Sequence, residues 1–496
     1  MFALFKYFIY FLIFLSFLLF YFLFTPLGQA NIYDFLSYKL SQKADLNIKV
    51  ISVQIEEYPQ VRLVIKLENK AKLTLWGYAD DALVDMNYTL TSNCLATEHC
   101  KIEDDIDIHG QVKGPYTRLV IDGSGTALDG TVHYNGIKYT DKVEDITIDL
   151  RQINSTKLFR LLGQTALIKG KANAHAHFST MDETQKLGYF TYDVKDENFQ
   201  GIPLQLHTKV NIKNDSHTFI ADMNATGLKL HITKGKYNQT KKKASAFYVL
   251  DVKELSKFET LLGYKYRGAF YTMGEIFYDK SIKVQGLSKS FGGMTEFDFK
   301  DNQLNITLKD VYLEEIMHLF PFPPMIKAKA KGDIHYDFNK ETLDVKTKLK
   351  EAKFVHSKLV DVIYQKSGAN MLEETFNNAT LDLTYHKQNI LGNLKLANAH
   401  SHIYLTSAKI NTTQSTINAY FDFQMQRQEF SGKVFGDLTS PDVNLNMQKL
   451  IRYQMDKQVD KMIGKHNRKM MESMPMAPVA KDVATDMGAS FMKVFF

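Results

Sequence analysis

The 496-residue sequence predicts a mainly β protein: a long antiparallel sheet with a few short helices. Three observations predict it. Apolar and polar residues alternate with period two through much of the chain, the pattern of a strand with one buried and one wet face. Short polar turns, rather than crossover helices, join these runs, which excludes a doubly wound α/β protein. Only 10 prolines interrupt the chain, against a usual share of about 5%, so long strands keep their backbone donors.

Composition narrows the class further. Hydrophobic residues make up 45% and charged residues 23%, which excludes global disorder. The net charge of +6 is too small and too dispersed to argue for nucleic acid. Two cysteines exclude a disulfide-framework fold and a thiolate zinc cluster.

The amino terminus departs from these averages. Tyr7 to Phe24 carries no charge and is almost wholly Phe, Leu, Ile and Tyr. Eighteen residues at 1.5 Å each span about 27 Å, close to a bilayer core of roughly 30 Å. Residues 1–30 are therefore expected to be a transmembrane anchor, ended by Pro26 and Gly28. The rival reading is a signal peptide cleaved after Gly28-Gln29-Ala30, although its apolar region is normally about 7–15 residues. Lys6 precedes the run and the next base is Lys39, so the amino terminus is expected in the cytoplasm and the rest across the membrane. Ile32 to Leu40 spaces its apolar residues like a short amphipathic helix at the membrane surface.

Residues 31–447 carry the strands. In Ile326–Phe338, Ile326, Ala328, Ala330, Gly332, Ile334, Tyr336 and Phe338 share one face, and Lys327, Lys329, Lys331, Asp333, His335 and Asp337 the other. After a turn at 339–342, Leu343, Val345, Thr347 and Leu349 continue the apolar face, which makes an antiparallel hairpin. Ile146–Leu150, Ile202–Ile212, Leu304–Leu308, Leu381–Tyr385, Ile417–Met425 and Phe430–Leu438 repeat the pattern. Three related interruptions, at Asp149–Gly163, Asp251–Gly263 and Asp310–Phe320, each read as strand end, short helix and stop. Gly163 and Gly263 stand where a left-handed C-cap is expected. Each is followed by a strand with an early glycine, Gly170, Gly268 or Gly332, as in an array built from diverged copies.

Candidate chemistry is sparse. His175 and His177, like His400 and His402, are spaced i, i+2 on a strand face and begin a zinc site at most, since no third ligand is evident. Metal, cofactor and catalytic residues are therefore all expected to be none. Asp104 and Asp105 read as solvated turn carboxylates. Cys94 and Cys100 are either two loop thiols or a disulfide contributing roughly 2–3 kcal/mol. Residues 448–496 change character: Leu450, Ile451, Met455, Val459, Met462 and Ile463 track one face of an amphipathic helix, and an apolar, Met-rich tail follows.

Three features resemble the AsmA family of Gram-negative envelope proteins, relatives of TamB. They are the anchor followed by a strand at Asn47–Val53, the units ending Leu161-Leu162-Gly163 and Leu261-Leu262-Gly263, and the late segment Phe430-Ser-Gly-Lys-Val-Phe-Gly-Asp-Leu-Thr-Ser-Pro-Asp-Val-Asn-Leu445. The resemblance implies a single-pass inner-membrane protein whose periplasmic sheet curls into a groove; the missing catalytic motifs lead to the expectation that it is not an enzyme, with an envelope hydrolase as the rival. It also implies a role in outer-membrane homeostasis, carrying phospholipid between the two membranes.

The physics is compatible with a groove. A sheet with one apolar face must bury it, and this chain lacks helices to cover so many strands. Acyl chains are a suitable cover, at about 0.8 kcal/mol per buried CH2. The expected lining includes Ile326, Ala328, Ala330, Ile334, Tyr336, Leu343, Val345 and Leu349. The expected partners are phospholipid acyl chains, the inner membrane and outer-membrane or periplasmic proteins at the carboxyl end. The competing reading is a non-transporting scaffold for outer-membrane components.

Overall fold

The computed structural model describes residues 26–448 apart from 45–46, 56–58, 68–70, 96–101, 166–168, 200–201, 321–324, 368, 426–427 and 447. The expected anchor at Tyr7–Phe24, Cys100 and the carboxyl-terminal segment from residue 449 lie outside the described residues. No helix among the described residues is long and apolar enough to cross a membrane.

The mainly β expectation holds. Among the described residues, 26 strands belong to one open antiparallel sheet, and the strands pair with their chain neighbours. The chain divides into two compact units, Met1–Ala246 and Phe247–Phe496.

The first unit opens with helix α1 (Pro26–Ala44), which packs on β1 (Ile48–Ile55). The meander continues through β2 (Gln60–Leu67), β3 (Ala71–Ala79), β4 (Leu83–Leu95), β5 (Ile102–Pro115), β6 (Arg118–Ala127), β7 (Gly130–Tyr139) and β8 (Val143–Asn154). Helix α2 (Ser155–Leu161) interrupts it before β9 (Lys171–Met181), β10 (Lys186–Phe199), β11 (Ile202–Lys213), β12 (Ser216–Ala225) and β13 (Leu228–Asn238). Strand β14 (Lys243–Val252) runs across the division.

The second unit carries a 3-10 turn (Leu255–Phe258), α3 (Glu259–Leu262), β15 (Phe270–Asp279), β16 (Ser281–Ser288), β17 (Met294–Lys300) and β18 (Gln303–Tyr312). Helix α4 (Leu313–His318), β19 (Ile326–Asp337), β20 (Thr342–Phe354) and α5 (Lys358–Ser367) follow. After a 3-10 turn at Met371–Glu373 come β21 (Asn378–His386), β22 (Asn389–Ala397), β23 (His402–Asn411), β24 (Thr416–Met425), β25 (Gln428–Asp437) and β26 (Ser440–Asn446).

Turn chemistry explains why the register is tight. Leu128-Asp129, Asp301-Asn302 and Lys387-Gln388 each place two consecutive residues at positive φ between paired strands, the geometry of a two-residue hairpin whose twist matches that of the strands. None of these turns contains glycine, so their sequences carry no strong hairpin signal.

The three expected interruptions are helical. Asn154 caps α2 by accepting from the Thr156 and Lys157 backbone N–H groups. The Ser155 N–H donates to Gly170 O at 2.8 Å, and the Leu255 N–H donates to Gly268 O, also at 2.8 Å. The first helical residue is thus tied to the early glycine of the next strand in both copies. Gly163 and Gly263 adopt φ of 71° and 68°, the left-handed stop that their positions predict. The third copy ends without a glycine, its cap Leu319 being right-handed.

Helix α5 has no counterpart in the sequence reading. It lies in a long β20–β21 connection that buries Val360, Ile363, Ala369, Met371 and Phe376 in the main core of the second unit. Asp337 also differs from expectation: it shares a strand face with solvated residues yet is buried. There its carboxylate accepts from the Asn339 and Lys340 N–H groups of the turn that follows.

Candidate apolar rows across the strands

The strand registers line up one apolar row through each unit. In the first, Val53, Leu63, Leu75 and Tyr88 are successive cross-strand partners from β1 to β4. Gly110, Gly123, Tyr134 and Ile148 continue the row to β8. Ala176, Phe190, Val210, Phe219 and Gly235 carry it to β13. Every position is apolar or glycine.

In the second unit, Ile276, Val284, Phe299 and Leu304 lead from β15 to β18. Tyr336, Leu343 and Tyr385 follow on β19, β20 and β21. Ile390, Ile410, Ile417 and Gly436 complete the row on β22 to β25. Its side chains are half-buried, as are most of those in the first row.

Aromatic rings lie over the glycines. A Cβ at Gly123 would run into the Tyr88 hydroxyl and would meet Tyr134 Cζ at 2.7 Å. Those two tyrosines reach over the glycines from β4 and β7, and their hydroxyls bond at 2.6 Å. Burial, then the bond to Tyr134, pushes the Tyr88 hydroxyl well above the ordinary phenol value. The same pairing recurs at Gly235 under Phe219, Gly286 under Phe297 and Gly432 under Phe421. Glycine removes the side chain that would hold the ring off the sheet.

The expected lining residues divide into two groups. Ile334, Tyr336, Leu343 and Val345 are half-buried and lie in or beside the second row. Burial, with Tyr385 nearby, raises the Tyr336 hydroxyl above its ordinary value. Ile326, Ala328, Ala330 and Leu349 are buried in the core that α5 also fills, with Ala330 at 0% exposure and Leu349 at 1%. An acyl chain cannot reach those four positions without displacing side chains.

The opposite, polar face of the first unit is a lattice of hydrogen bonds. His175 Nδ1 pairs with Asp149 Oδ1 at 2.8 Å and its Nε2 with Tyr189 Oη at 3.1 Å, linking β8, β9 and β10. His207 pairs with Asp193 at 2.6 Å, and His231 with Asp222. His177 meets Thr147 at 3.3 Å. Two shallow hollows share Asp149 and Arg151; Ser124, Thr131, Val132 and His133 bound one, Asn173, His175 and Asp193 the other. Among the described residues no three His, Cys, Asp or Glu side chains are grouped to hold a metal ion. His400 does not share a strand face with His402: it sits in the bend before β23, while His402 begins that strand and faces Asp422 at 3.5 Å.

Asp104 corrects the sequence reading. It lies on β5, not in a turn, and its side chain is 1% exposed. Lys157 of α2 donates to Asp104 and to Asp129, each at 2.6 Å. The Leu128 N–H also donates to Asp104, which holds that residue in its left-handed turn. Cys94, at the end of β4, is disulfide-bonded. Comparison of the chain with protein-family models, with curated proteins and with solved structures found no match.

Proposed function

We propose that the half-buried apolar rows bind phospholipid acyl chains and that the protein is a membrane-anchored periplasmic carrier of AsmA type, supporting outer-membrane homeostasis. The observation that carries this reading is the unbroken apolar register through each unit. A solvated sheet face has no need for such a row, and each CH2 laid along it contributes about 0.8 kcal/mol. The apolar run at Tyr7–Phe24 supports the anchor. The hairpin formed by β25 and β26 supports the family resemblance at its most specific segment.

Mass spectrometry of the full chain purified in detergent-free nanodiscs, after protease release of the sheet, tests the reading. Stoichiometric phospholipid on the released sheet is expected. A lipid-free sheet overturns it.

One observation favours a second reading, a non-transporting scaffold. Part of the apolar face of the second unit is filled by α5 and the 3-10 turn that follows it. A filled interior holds partners together but conducts nothing.

A further inference from the structure

Helix α1 has two faces, and only one of them is used by the fold. On the inner face, Tyr33, Leu36 and Leu40 pack against Ile48, Val50 and Ile65. Two serines on that face complete the edge of the sheet. Ser37 Oγ accepts from the Val50 N–H at 2.8 Å, and Ser41 Oγ accepts from the Ile48 N–H at 2.9 Å. Ser41 Oγ donates back to Ile48 O at 3.1 Å. Four helical residues rise about 6 Å and two strand residues about 6.7 Å. Serines at i and i+4 therefore match donors at i and i+2 of a strand. The helix closes an edge that would otherwise recruit another strand, and this fixes which of its faces is free.

The free face carries Phe35 and Tyr38, 60% and 59% exposed, with Asp34, Lys39 and Gln42. Lys39 Nζ stands 5.9 Å from the centre of the Phe35 ring, and Gln42 Nε2 donates to Tyr38 Oη at 2.7 Å. Aromatic bodies with polar or cationic tips are the chemistry of a membrane–water interface, not of a dry protein contact. The eighteen-residue uncharged run ends at Phe24, and Pro26 and Gly28, expected to end a helix, instead lie in the first turn of α1, where the missing proline N–H needs no partner.

We infer that the Phe35–Tyr38–Lys39 face of α1 lies in the headgroup layer of the bilayer, so that one helix caps the sheet edge and seats it on the membrane. This rests on the anchor reading of Tyr7–Phe24. It divides the expected amphipathic helix differently from its sequence: Leu36 and Leu40 serve the sheet, and the aromatic pair serves the membrane.

Fluorophores attached through Phe35→Cys, Tyr38→Cys, Lys49→Cys and Phe20→Cys test it. Each variant is the full chain, reconstituted in vesicles of phosphatidylethanolamine and phosphatidylglycerol with brominated acyl chains. Labels at 35 and 38 are expected to be quenched at least twofold by the brominated lipid and shielded at least twofold from iodide relative to the label at exposed Lys49. A quenched label at 20 with water-exposed labels at 35 and 38 overturns the inference and leaves the anchor standing. Labels at 35 and 38 shielded from iodide but unquenched by lipid overturn it in favour of a protein partner. An unquenched label at 20 overturns the anchor and the inference together. Lipid carriage enters none of these readouts.

Discussion

At the scale of single residues, the Asp104–Lys157–Asp129 cluster makes the sharpest prediction. Asp104 is buried on β5, where Lys157 and the Leu128 N–H donate to its carboxylate. Removing one partner of such a pair leaves a charge stranded, at a cost of about 3 kcal/mol. Lys157→Met is therefore expected to destabilise the first unit by about that amount in chemical denaturation. Adding Asp104→Asn to Lys157→Met should restore part of the loss, because the stranded charge is gone. The pH dependence follows from the same contacts. Burial works against the Lys157 ammonium, but bonds to Asp104 and Asp129 hold it above the ordinary lysine value. Its contribution is present below about pH 10.4 and lost as pH rises through the raised value. The bond from Lys157 holds the Asp129 carboxyl below its ordinary value, despite some burial. That contribution is present above about pH 3.9 and lost as pH falls through the lowered value. Protection of the α2 amides, their exchange rate relative to the intrinsic rate at each pH, should thus be greatest between those limits, and protection that stays constant to about pH 11 would contradict the assignment. The sequence did not disclose this cluster: Asp104 and Lys157 are 53 residues apart, and only the β5–β8 registers bring them together.

At the scale of elements, alternation made the strands legible while pairing decided what they do. The β19–β20 hairpin, the short helices and the Gly163 and Gly263 stops all follow from local pattern. The apolar rows do not, because a row is a property of register, and register here depends on glycine-free turns and on bulges with weak sequence signatures. Bulges at Gln152 and Asp310, both at positive φ, fall three residues before the helices α2 and α4. Each breaks the ladder just before the chain leaves the sheet. The aromatic-over-glycine device makes a prediction of its own. Gly123→Ala puts a methyl where the Tyr88 hydroxyl and the Tyr134 ring lie. Overpacking of this kind costs about 2 kcal/mol, readable as a lower denaturation midpoint, and Tyr88→Phe should leave most of that penalty in place because the Tyr134 ring remains. Helix α5 escaped prediction because a ten-residue amphipathic segment between strands reads as another apolar run. Val360 and Ile363 point into the core at 3% and 5% exposure. Ile363→Asp buries a charge with no partner and is expected to expose the second unit to proteolysis first, while β1–β13 stay protected.

At the scale of the whole molecule, the conduit and the scaffold separate on where a charge is tolerated. Ala330, one of the expected lining residues, sits in the filled core, so Ala330→Asp tests folding rather than transport. Val345 and Phe190 are better positions. Val345 pairs with Ile334 beside the second row, and Phe190 lies in the first row between Ala176 and Val210. Both are half-buried, so an aspartate there keeps contact with water, although Phe190 also packs on the Leu128–Ile153 core and stacks on the Tyr192 ring. A carboxylate beside an acyl chain should cost at least about 1.4 kcal/mol of binding, a tenfold loss of bound phospholipid. Val345→Asp and Phe190→Asp are each expected to show that loss by mass spectrometry, with circular dichroism close to that of the unaltered chain; the denaturation midpoint should stay close for Val345→Asp and fall for Phe190→Asp, which loses its stack on Tyr192. If lipid moves along both rows, either substitution alone should also abolish transfer between donor and acceptor vesicles. If lipid is held in one unit only, the two variants should differ. Unchanged lipid content in both folded variants would remove the conduit and leave the scaffold. Placement within the rows thus makes a general amphipathic pattern into two positions, one per unit, at which the function stands or falls.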